Sequence, residues 1–273
     1  MSEDAHRPGL LTAVGARLLA GVSYVGGMAL LLGETARRAW QATVRPRGRA
    51  GKRALRVQMV RVGVRSAGIV CLVQLFIGVI LALQMAPPLE PWGQVDKIAN
   101  IIGVAGFRML GPIITAVVLS GFAGASIAAE LGTMVVAEEI EALEAHALNP
   151  VRFLVVPRVT ATFIMMLLLT IIANWMIALG GYLTSLMVLG SKVSDNYWRQ
   201  MQDQLRLRDF VSGMIMAGVF GLLISLIACY EGLKVRGGAE GVGKATTMTV
   251  VYSIVGIISA ACLFTAVFYI FGF

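Results

Sequence analysis

Long apolar stretches recur five times along the chain, and only the second contains a charged residue, Arg108. A helix needs about 20 predominantly apolar residues to cross the hydrocarbon core of a bilayer. The five stretches are Ser66–Leu89, Ile98–Ala129, Val159–Ser191, Phe210–Tyr230 and Ala245–Phe273. We therefore predict an all-α, polytopic membrane protein with five transmembrane helices, at about residues 66–89, 98–129, 159–190, 210–230 and 246–271.

Composition supports this interpretation. Of the 273 residues, 58% are hydrophobic and 14% are charged, whereas soluble domains average roughly 45–50% apolar and about 25% charged residues. These values exclude a water-soluble enzyme and a disordered chain. The net charge of +8 would elsewhere suggest nucleic acid, but 10 of the 23 basic residues lie between Arg37 and Arg65. This clustering points to a membrane surface and not to nucleic acid.

The N-terminal part carries a weaker apolar segment, Leu10–Leu32, which contains Arg17 and precedes the basic stretch. We predict a helix that lies in the membrane interface or is re-entrant, followed by an amphipathic segment at Ala54–Val64. A full crossing by Leu10–Leu32 is the alternative. The predicted division is thus an N-terminal cytoplasmic or interfacial segment, 1–65, and a membrane domain, 66–273.

The distribution of basic residues predicts the orientation, because Lys and Arg are retained on the cytoplasmic side. Loops 33–65, 130–158 and 231–244 together hold 15 basic residues, whereas loops 90–108 and 192–209 hold 6. The N-terminal side is therefore expected inside, and the C-terminus outside.

The loop after the second stretch predicts a short amphipathic helix. Ile140, Leu143 and Ala147 share one face at helical spacing, and Asn149-Pro150 supplies a stop. Acidic residues crowd the first turns, where the helix dipole favours anions: Glu138, Glu139, Glu141 and Glu144. The segment is either a solvated connector or a helix that docks into a groove on a cytoplasmic partner.

A second loop, Gly238–Ala245, matches the spacing of a phosphate-binding loop except at its last position. Such a loop needs a Ser or Thr hydroxyl for Mg²⁺ where Ala245 stands, and a preceding buried strand. We interpret the glycines as flexible turn chemistry between two spans.

Arg108 is the main charged residue inside an apolar stretch, and intramembrane charge indicates function by default. Its long stem either snorkels to the outer interface, or its guanidinium faces a cavity and pairs with an anionic lipid head group. His6 and His146 are isolated, so no metal site is predicted.

Several segments occur in the order and at the separations of one known family: Gly124–Met134, Glu138–Leu143, Asn149-Pro150, Val156–Arg158 and Gly241–Thr247. Over roughly residues 50–270 the chain resembles the MlaE permeases of Mla- and Mce-type ABC lipid transporters. It departs from them at three places. The family commonly has an acid where Met109 stands, a basic residue where Phe122 stands, and Met-Gly where His146-Ala147 stand.

The resemblance implies a homodimeric permease in an inner membrane, moving phospholipid or a related lipid. Its implied partners are an ABC ATPase subunit, an MCE-domain (MlaD-like) protein on the outer side and, as a further candidate, a small STAS-domain (MlaB-like) protein. ATP and Mg²⁺ would bind the partner ATPase, so this chain is expected to hold no cofactor and not to be an enzyme.

The resemblance also implies roles for particular residues. Arg108, which precedes the Leu-Gly-Pro of the second span, would border the lipid cavity and bind the head group. The ATPase coupling helix would comprise Glu138, Glu139, Ile140, Glu141, Ala142 and Leu143. The alternative functions are an ATP-independent secondary transporter and a membrane scaffold protein.

Overall fold

The structure, a computed structural model, describes residues 10–44 and 49–271. Regular structure in these ranges is helical throughout. The α-helices are α1 (Leu10–Val44), α2 (Arg49–Met59), α3 (Arg65–Leu89), α4 (Ile98–Ala105), α5 (Gly111–Leu119), α6 (Ala125–Val136), α7 (Glu139–Ala145), α8 (Val156–Thr184), α9 (Ser191–Gln204), α10 (Leu207–Leu233) and α11 (Gly238–Ile270).

Five segments of the described chain are long and apolar enough to cross a membrane. We name them the first to fifth spans: Arg53–Trp92, Val95–Val136, Val151–Val188, Leu207–Leu233 and Gly238–Ile270. The prediction of an all-α membrane protein with five spans is confirmed. The helices run past the uncharged stretches, since polar residues at their ends continue the same backbone hydrogen bonding. The amphipathic segment predicted at Ala54–Val64 is thus a direct extension of the first span.

Widened, π-helical turns interrupt the second and third spans just before a proline. Gly106–Leu110 precedes Pro112, and Val151–Val155 precedes Pro157. Proline lacks the backbone N–H of a helical hydrogen bond, and its ring crowds the carbonyl four residues earlier. A π-helical turn at these places accommodates the proline without ending the span.

The first and third spans touch backbone to backbone through a reciprocal pair of glycines. A Cβ on Gly78 would lie 2.1 Å from the carbonyl oxygen of Ile177, and one on Gly180 would lie 2.1 Å from that of Leu75. Side-chain-free surfaces let two helices approach this closely, which increases van der Waals contact where the solvent is lipid.

A buried polar contact ties the first span to the second. Nε2 of Gln74 donates to the carbonyl oxygen of Gly111 at 3.0 Å and to Oγ1 of Thr115 at 2.9 Å. Because an unpaired amide in an apolar interior costs free energy, these bonds favour one register between the two spans. The largest core lies among the second, third and fourth spans, with Leu119 and Phe220 fully buried.

Helix α1 runs without interruption from Leu10 to Val44. The ring of Tyr24 packs edge-on against Tyr230, with centroids 5.0 Å apart, and against Tyr252 at 5.3 Å. The helix is thereby held against the fourth and fifth spans. Its interfacial or re-entrant position stays a prediction, and residues 1–9 and 45–48 of the predicted segment 1–65 lie outside the described residues.

The connection predicted between the third and fourth spans, 192–209, contains a helix that was not predicted from the sequence, because α9 occupies Ser191–Gln204. Tyr197 and Met201, one turn apart, are buried against the start of the second span. The Tyr197 hydroxyl donates to the carbonyl oxygen of Ala178 at 3.1 Å, and burial raises the pKa of that hydroxyl. This long-range apolar contact stabilises a helix too polar to be recognised as a span.

The flexible turn predicted at Gly238–Ala245 is wrong. After Gly237, which has a left-handed φ of 89°, the segment forms the first turns of α11. Glu240 lies in the first turn, where it complements the helix dipole. A Cβ on Gly241 would lie 2.0 Å from the carbonyl oxygen of Arg236. Gly241 therefore permits a close approach within the helix, whereas Gly237 and Gly238 supply the left-handed backbone that begins it.

Candidate functional site

The residues singled out from the sequence lie at opposite ends of the helix bundle. We call these the α7 end and the α9 end, after the short helices they carry. Arg108 lies near the α9 end of the second span, next to Asp209 at the start of the fourth span. The structure therefore brings Arg108 together with α9 and does not bring it to α7.

Arg108 is placed by the π-helical turn at Gly106–Leu110. Its Nη1 lies 3.6 Å from Oδ1 of Asp209, and its Cζ lies 5.8 Å from the ring centroid of Phe268 on the fifth span. The side chain is 32% exposed and borders an open cavity of about 590 Å³. The other lining residues are Asn100, Ile101, Val104, Ala105, Met109, Leu110 and Gln204.

This arrangement suits an amphiphilic anion. The cavity wall is mainly apolar, and a half-exposed guanidinium stands at its rim. Guanidinium binds phosphate through two parallel hydrogen bonds, which makes Arg well suited to head-group phosphates. A phosphate in the cavity would compete with Asp209, 3.6 Å away, for the same guanidinium.

Helix α7 is shorter than the sequence predicted. It spans Glu139–Ala145, whereas Glu138 and Ala147 have left-handed φ values of 59° and 56°. The expected apolar face therefore ends at Leu143, and Ala147 lies outside the helix. Two of the six predicted coupling residues, Ile140 and Leu143, are half-buried and line an open cavity of about 280 Å³. The other four, Glu138, Glu139, Glu141 and Ala142, are exposed.

The end of α7 is a Schellman motif and not the predicted Asn149-Pro150 stop. The N–H of Ala147 donates to the carbonyl of Glu144 at 2.8 Å, and the N–H of Leu148 donates to that of Leu143 at 3.0 Å. Asn149 instead lies just before the third span, where its Oδ1 accepts the N–H of Arg152 at 3.1 Å. Ala147 is the left-handed residue of this motif. The left-handed φ explains why the family commonly has a glycine at this position.

A three-residue charge cluster lies at the α7 end of the bundle. Oε2 of Glu130 lies 2.6 Å from Nη1 of Arg61 and 3.2 Å from Nη2 of Arg158. Nη1 of Arg158 donates to the carbonyl oxygen of Leu154 at 2.8 Å. Only 4% of the Arg158 side chain is exposed, against 23% for Glu130 and 38% for Arg61. The cluster joins the first three spans just where the second span leads into α7.

Sequence reasoning missed this cluster, because Glu130 and Arg158 served there only as boundaries of apolar stretches. One signal was present. Both residues stand inside the segments that carry the family resemblance, Gly124–Met134 and Val156–Arg158, each with apolar residues beside it. A charge placed between apolar residues of a span end indicates a partner on another helix.

Comparison with known proteins gives consistent matches. The Permease MlaE family matches residues 55–267. A probable ABC transporter permease protein of Rickettsia felis is 37% identical over 212 residues, covering 78% of this chain and 82% of the relative. The chloroplastic protein TRIGALACTOSYLDIACYLGLYCEROL 1 of Arabidopsis thaliana is 35% identical over 215 residues, covering 78% of this chain and 60% of the relative.

A third relative carries the family name. The intermembrane phospholipid transport system permease protein MlaE of Haemophilus influenzae is 32% identical over 215 residues, covering 78% of this chain and 81% of the relative. The region matched by the family contains α7, Arg108, the charge cluster and all five spans, except the first two residues of the first span and the last three of the fifth. The chain, a multi-pass membrane protein, belongs to the MlaE permease family.

Proposed function

We propose that this chain is the permease subunit of an ABC transporter that moves phospholipid or a related lipid. ATP, with Mg²⁺, is hydrolysed on a partner ATPase, and lipid is exchanged with an MCE-domain protein on the opposite side of the membrane. Relatives named as ABC transporter permeases and as part of a phospholipid transport system support the proposal.

The observation that carries the proposal is α7. It is set off from the second span by a left-handed residue and from the third by a Schellman motif, and none of its residues is buried. Its acids are exposed, while Ile140 and Leu143 line an open apolar cavity with Met134 and Leu154. An amphipathic helix with such a cavity fits a partner that binds by apolar contact and recognises charge.

The fifth span supports a lipid pathway between two copies of the chain. Its inner face is buried through Thr249, Ser253 and Ile257, whereas Val255 and Ile258 on the other side are exposed. A second copy covering this face would enclose an apolar space beside Phe268 and Arg108. Each CH₂ of an acyl chain buried there contributes about 0.8 kcal/mol, so the cavity needs few polar groups to hold a lipid.

The proposed orientation places the α7 end in the cytoplasm, in line with the basic loops, and the C-terminus on the periplasmic side of an inner membrane. ATP-driven closure of two ATPase subunits would then press on α7. The force would reach the second and third spans through the short connections on either side of α7, about two turns from Glu130 and Arg158. Arg108, near the other end, would hold the head group. A small STAS-domain protein is a further candidate partner.

Charge reversal on α7 tests the proposal. We expect Glu139→Lys/Glu141→Lys to abolish co-purification of the ATPase with the co-expressed permease and to abolish lipid-stimulated ATP hydrolysis. Both acids are exposed in the first turn of α7, so the bundle itself should remain folded. Asp195→Lys/Asp203→Lys, at two exposed acids on α9 at the opposite end, is the matched control and should change neither readout.

Two results would contradict the proposal. The double variant could keep both the ATPase and normal lipid transfer, in which case α7 is a connector only. Alternatively, the wild-type chain could transfer lipid without any ATPase, which would assign an ATP-independent transporter.

A further inference from the structure

An arginine-rich pocket lies at the α7 end, on the outer surface of α2 and the start of the first span. Its open volume is about 640 Å³. It is lined by Arg53, Arg56, Val57, Val60, Arg61 and Arg65. The four arginines fall on successive turns of one continuous helical segment, so their guanidinium groups are brought to the same opening.

The pocket carries uncompensated positive charge. Arg61 is paired with Glu130 at 2.6 Å. Arg53, Arg56 and Arg65 are exposed, and among residues 10–44 and 49–271 no carboxylate lies within ion-pair distance of any of them. Like charges held together repel each other. A bound anion would relieve this repulsion, and a phosphate could take bidentate hydrogen bonds from more than one guanidinium.

An exposed apolar stripe runs from the pocket along the first span. Its members recur at steps of three to five residues and are all exposed: Val57, Val60, Val64, Ile69, Leu72, Phe76, Ile80 and Leu83. At 1.5 Å per helical residue the stripe is about 39 Å long, enough to cross a hydrocarbon core of about 30 Å. Its first two residues also line the pocket, so the charged and apolar surfaces are continuous.

We infer that this pocket binds an anionic glycerophospholipid of the leaflet at the α7 end. The head-group phosphate lies among Arg53, Arg56 and Arg65, and an acyl chain lies along the stripe. An acidic segment of a protein would satisfy the arginines, but it would leave the adjoining stripe unused. The stripe lies on a segment apolar enough to cross a membrane and is exposed along its length, which favours a lipid as the occupant.

This site is separate from the Arg108 cavity, which is near the other end of the bundle. It requires that the chain be embedded in a membrane, and it does not depend on the proposed transport activity. A resident lipid here would hold the extension of the first span at the membrane surface, beside the Arg61–Glu130 ion pair.

Lipid retention by the full-length chain tests the inference. The purified protein is equilibrated with vesicles of phosphatidylcholine containing phosphatidylglycerol, re-extracted in mild detergent, and its bound lipids are counted by native mass spectrometry. We expect phosphatidylglycerol to be enriched on the wild type. Arg53→Gln/Arg56→Gln/Arg65→Gln should reduce that enrichment by at least about tenfold, the factor for one lost charge-assisted hydrogen bond.

A triple variant with the same change in net charge is the control. Arg37, Arg152 and Arg236 are exposed arginines at the α7 end that do not line the pocket, and replacing all three by Gln should leave the enrichment intact. A second variant, Val60→Glu, keeps every arginine and places a carboxylate in the pocket. It should lose the enrichment too, and its thermal unfolding should match that of the wild type.

Three outcomes would overturn the inference. Equal losses in the two triple variants would indicate diffuse surface attraction. No loss in the pocket variants would show that the pocket binds no anionic lipid. Unchanged lipid together with loss of a co-expressed partner protein would assign the pocket to an acidic protein segment. Because ATP hydrolysis is not measured, failure here leaves the proposed transport function untouched.

Discussion

Replacing Glu130 by Gln removes the shared anion of the Arg61–Glu130–Arg158 cluster. At an effective dielectric constant of about 20, the attraction at 3.2 Å to Arg158 is about 5 kcal/mol, and that at 2.6 Å to Arg61 is about 6 kcal/mol. These gross terms are offset by the cost of desolvating the charges and by repulsion between the two arginines. The net effect depends on what each guanidinium does afterwards.

The two arginines differ in their access to water. Arg61, with 38% of its side chain exposed, can turn to solvent or to the pocket anion, whereas Arg158 is 4% exposed and cannot. Breaking a buried pair by removing one partner costs roughly 3–5 kcal/mol. Because Glu130 itself is 23% exposed, we expect the lower end, a loss of about 3 kcal/mol in the free energy of unfolding.

The assay is reversible unfolding of the full chain in mixed micelles by sodium dodecyl sulfate, followed by tryptophan fluorescence. Glu144→Gln, at an exposed acid of the same end, is the control and should stay within about 0.5 kcal/mol of the wild type. The decisive variant is Glu130→Gln/Arg158→Met, which also removes the stranded charge. It should recover about 2 kcal/mol relative to the single variant.

Either of two results would refute the reasoning. If Glu130→Gln were as stable as the wild type, the charge cluster would make no net contribution to the free energy of unfolding. If the double variant were less stable than the single one, the cost would come from lost packing of the Arg158 stem and not from its uncompensated charge.

Three further predictions use the same preparation. Gly78→Ala puts a Cβ 2.1 Å from a backbone oxygen and should cost about 1–3 kcal/mol of unfolding free energy. Gly68→Ala on the same helix meets nothing within 4 Å and should not lower the unfolding free energy. Equal losses of unfolding free energy in the two variants would contradict the close approach of the first and third spans at Gly78. Ala147→Gly relieves a left-handed φ of 56° and should raise the unfolding free energy by about 1 kcal/mol; an unchanged value would contradict that strain. In the background of the triple pocket variant, which removes the other proposed lipid, Arg108→Ala should lower co-purifying phospholipid about tenfold, through one lost charge-assisted bond. The exposed Arg208→Ala should not lower it in that background, and unchanged bound lipid in the Arg108 variant would remove the head-group role.

How far the site could be predicted differs between its parts. Arg108 stands out as a charge within an apolar stretch, and α7 as acidic residues around a short apolar pattern, so both were found from local sequence. The exact length of α7 could not be predicted from local sequence. Its end depends on whether the backbone at Ala147 enters the left-handed region, and an alanine there gives no signal comparable to glycine.

The sequence by itself determined the five spans. In lipid, a backbone without internal hydrogen bonds is too costly, so a run of about 20 apolar residues has one available structure, whatever its neighbours. That local rule needs no knowledge of packing. It also explains why α9 was missed: its helix is too polar to be a span, and it is stabilised by burying Tyr197 and Met201 against another span.

Only the tertiary structure decided which residues meet. Glu130 pairs with Arg61 and Arg158, and Gly78 contacts the backbone at Ile177, through helices far apart in the chain. Apolar spans of similar composition can pack in many registers. The register is set by close approach at small residues and by a few buried polar pairs. These interactions form only between segments in the folded bundle, so the sequence of any one segment does not reveal them.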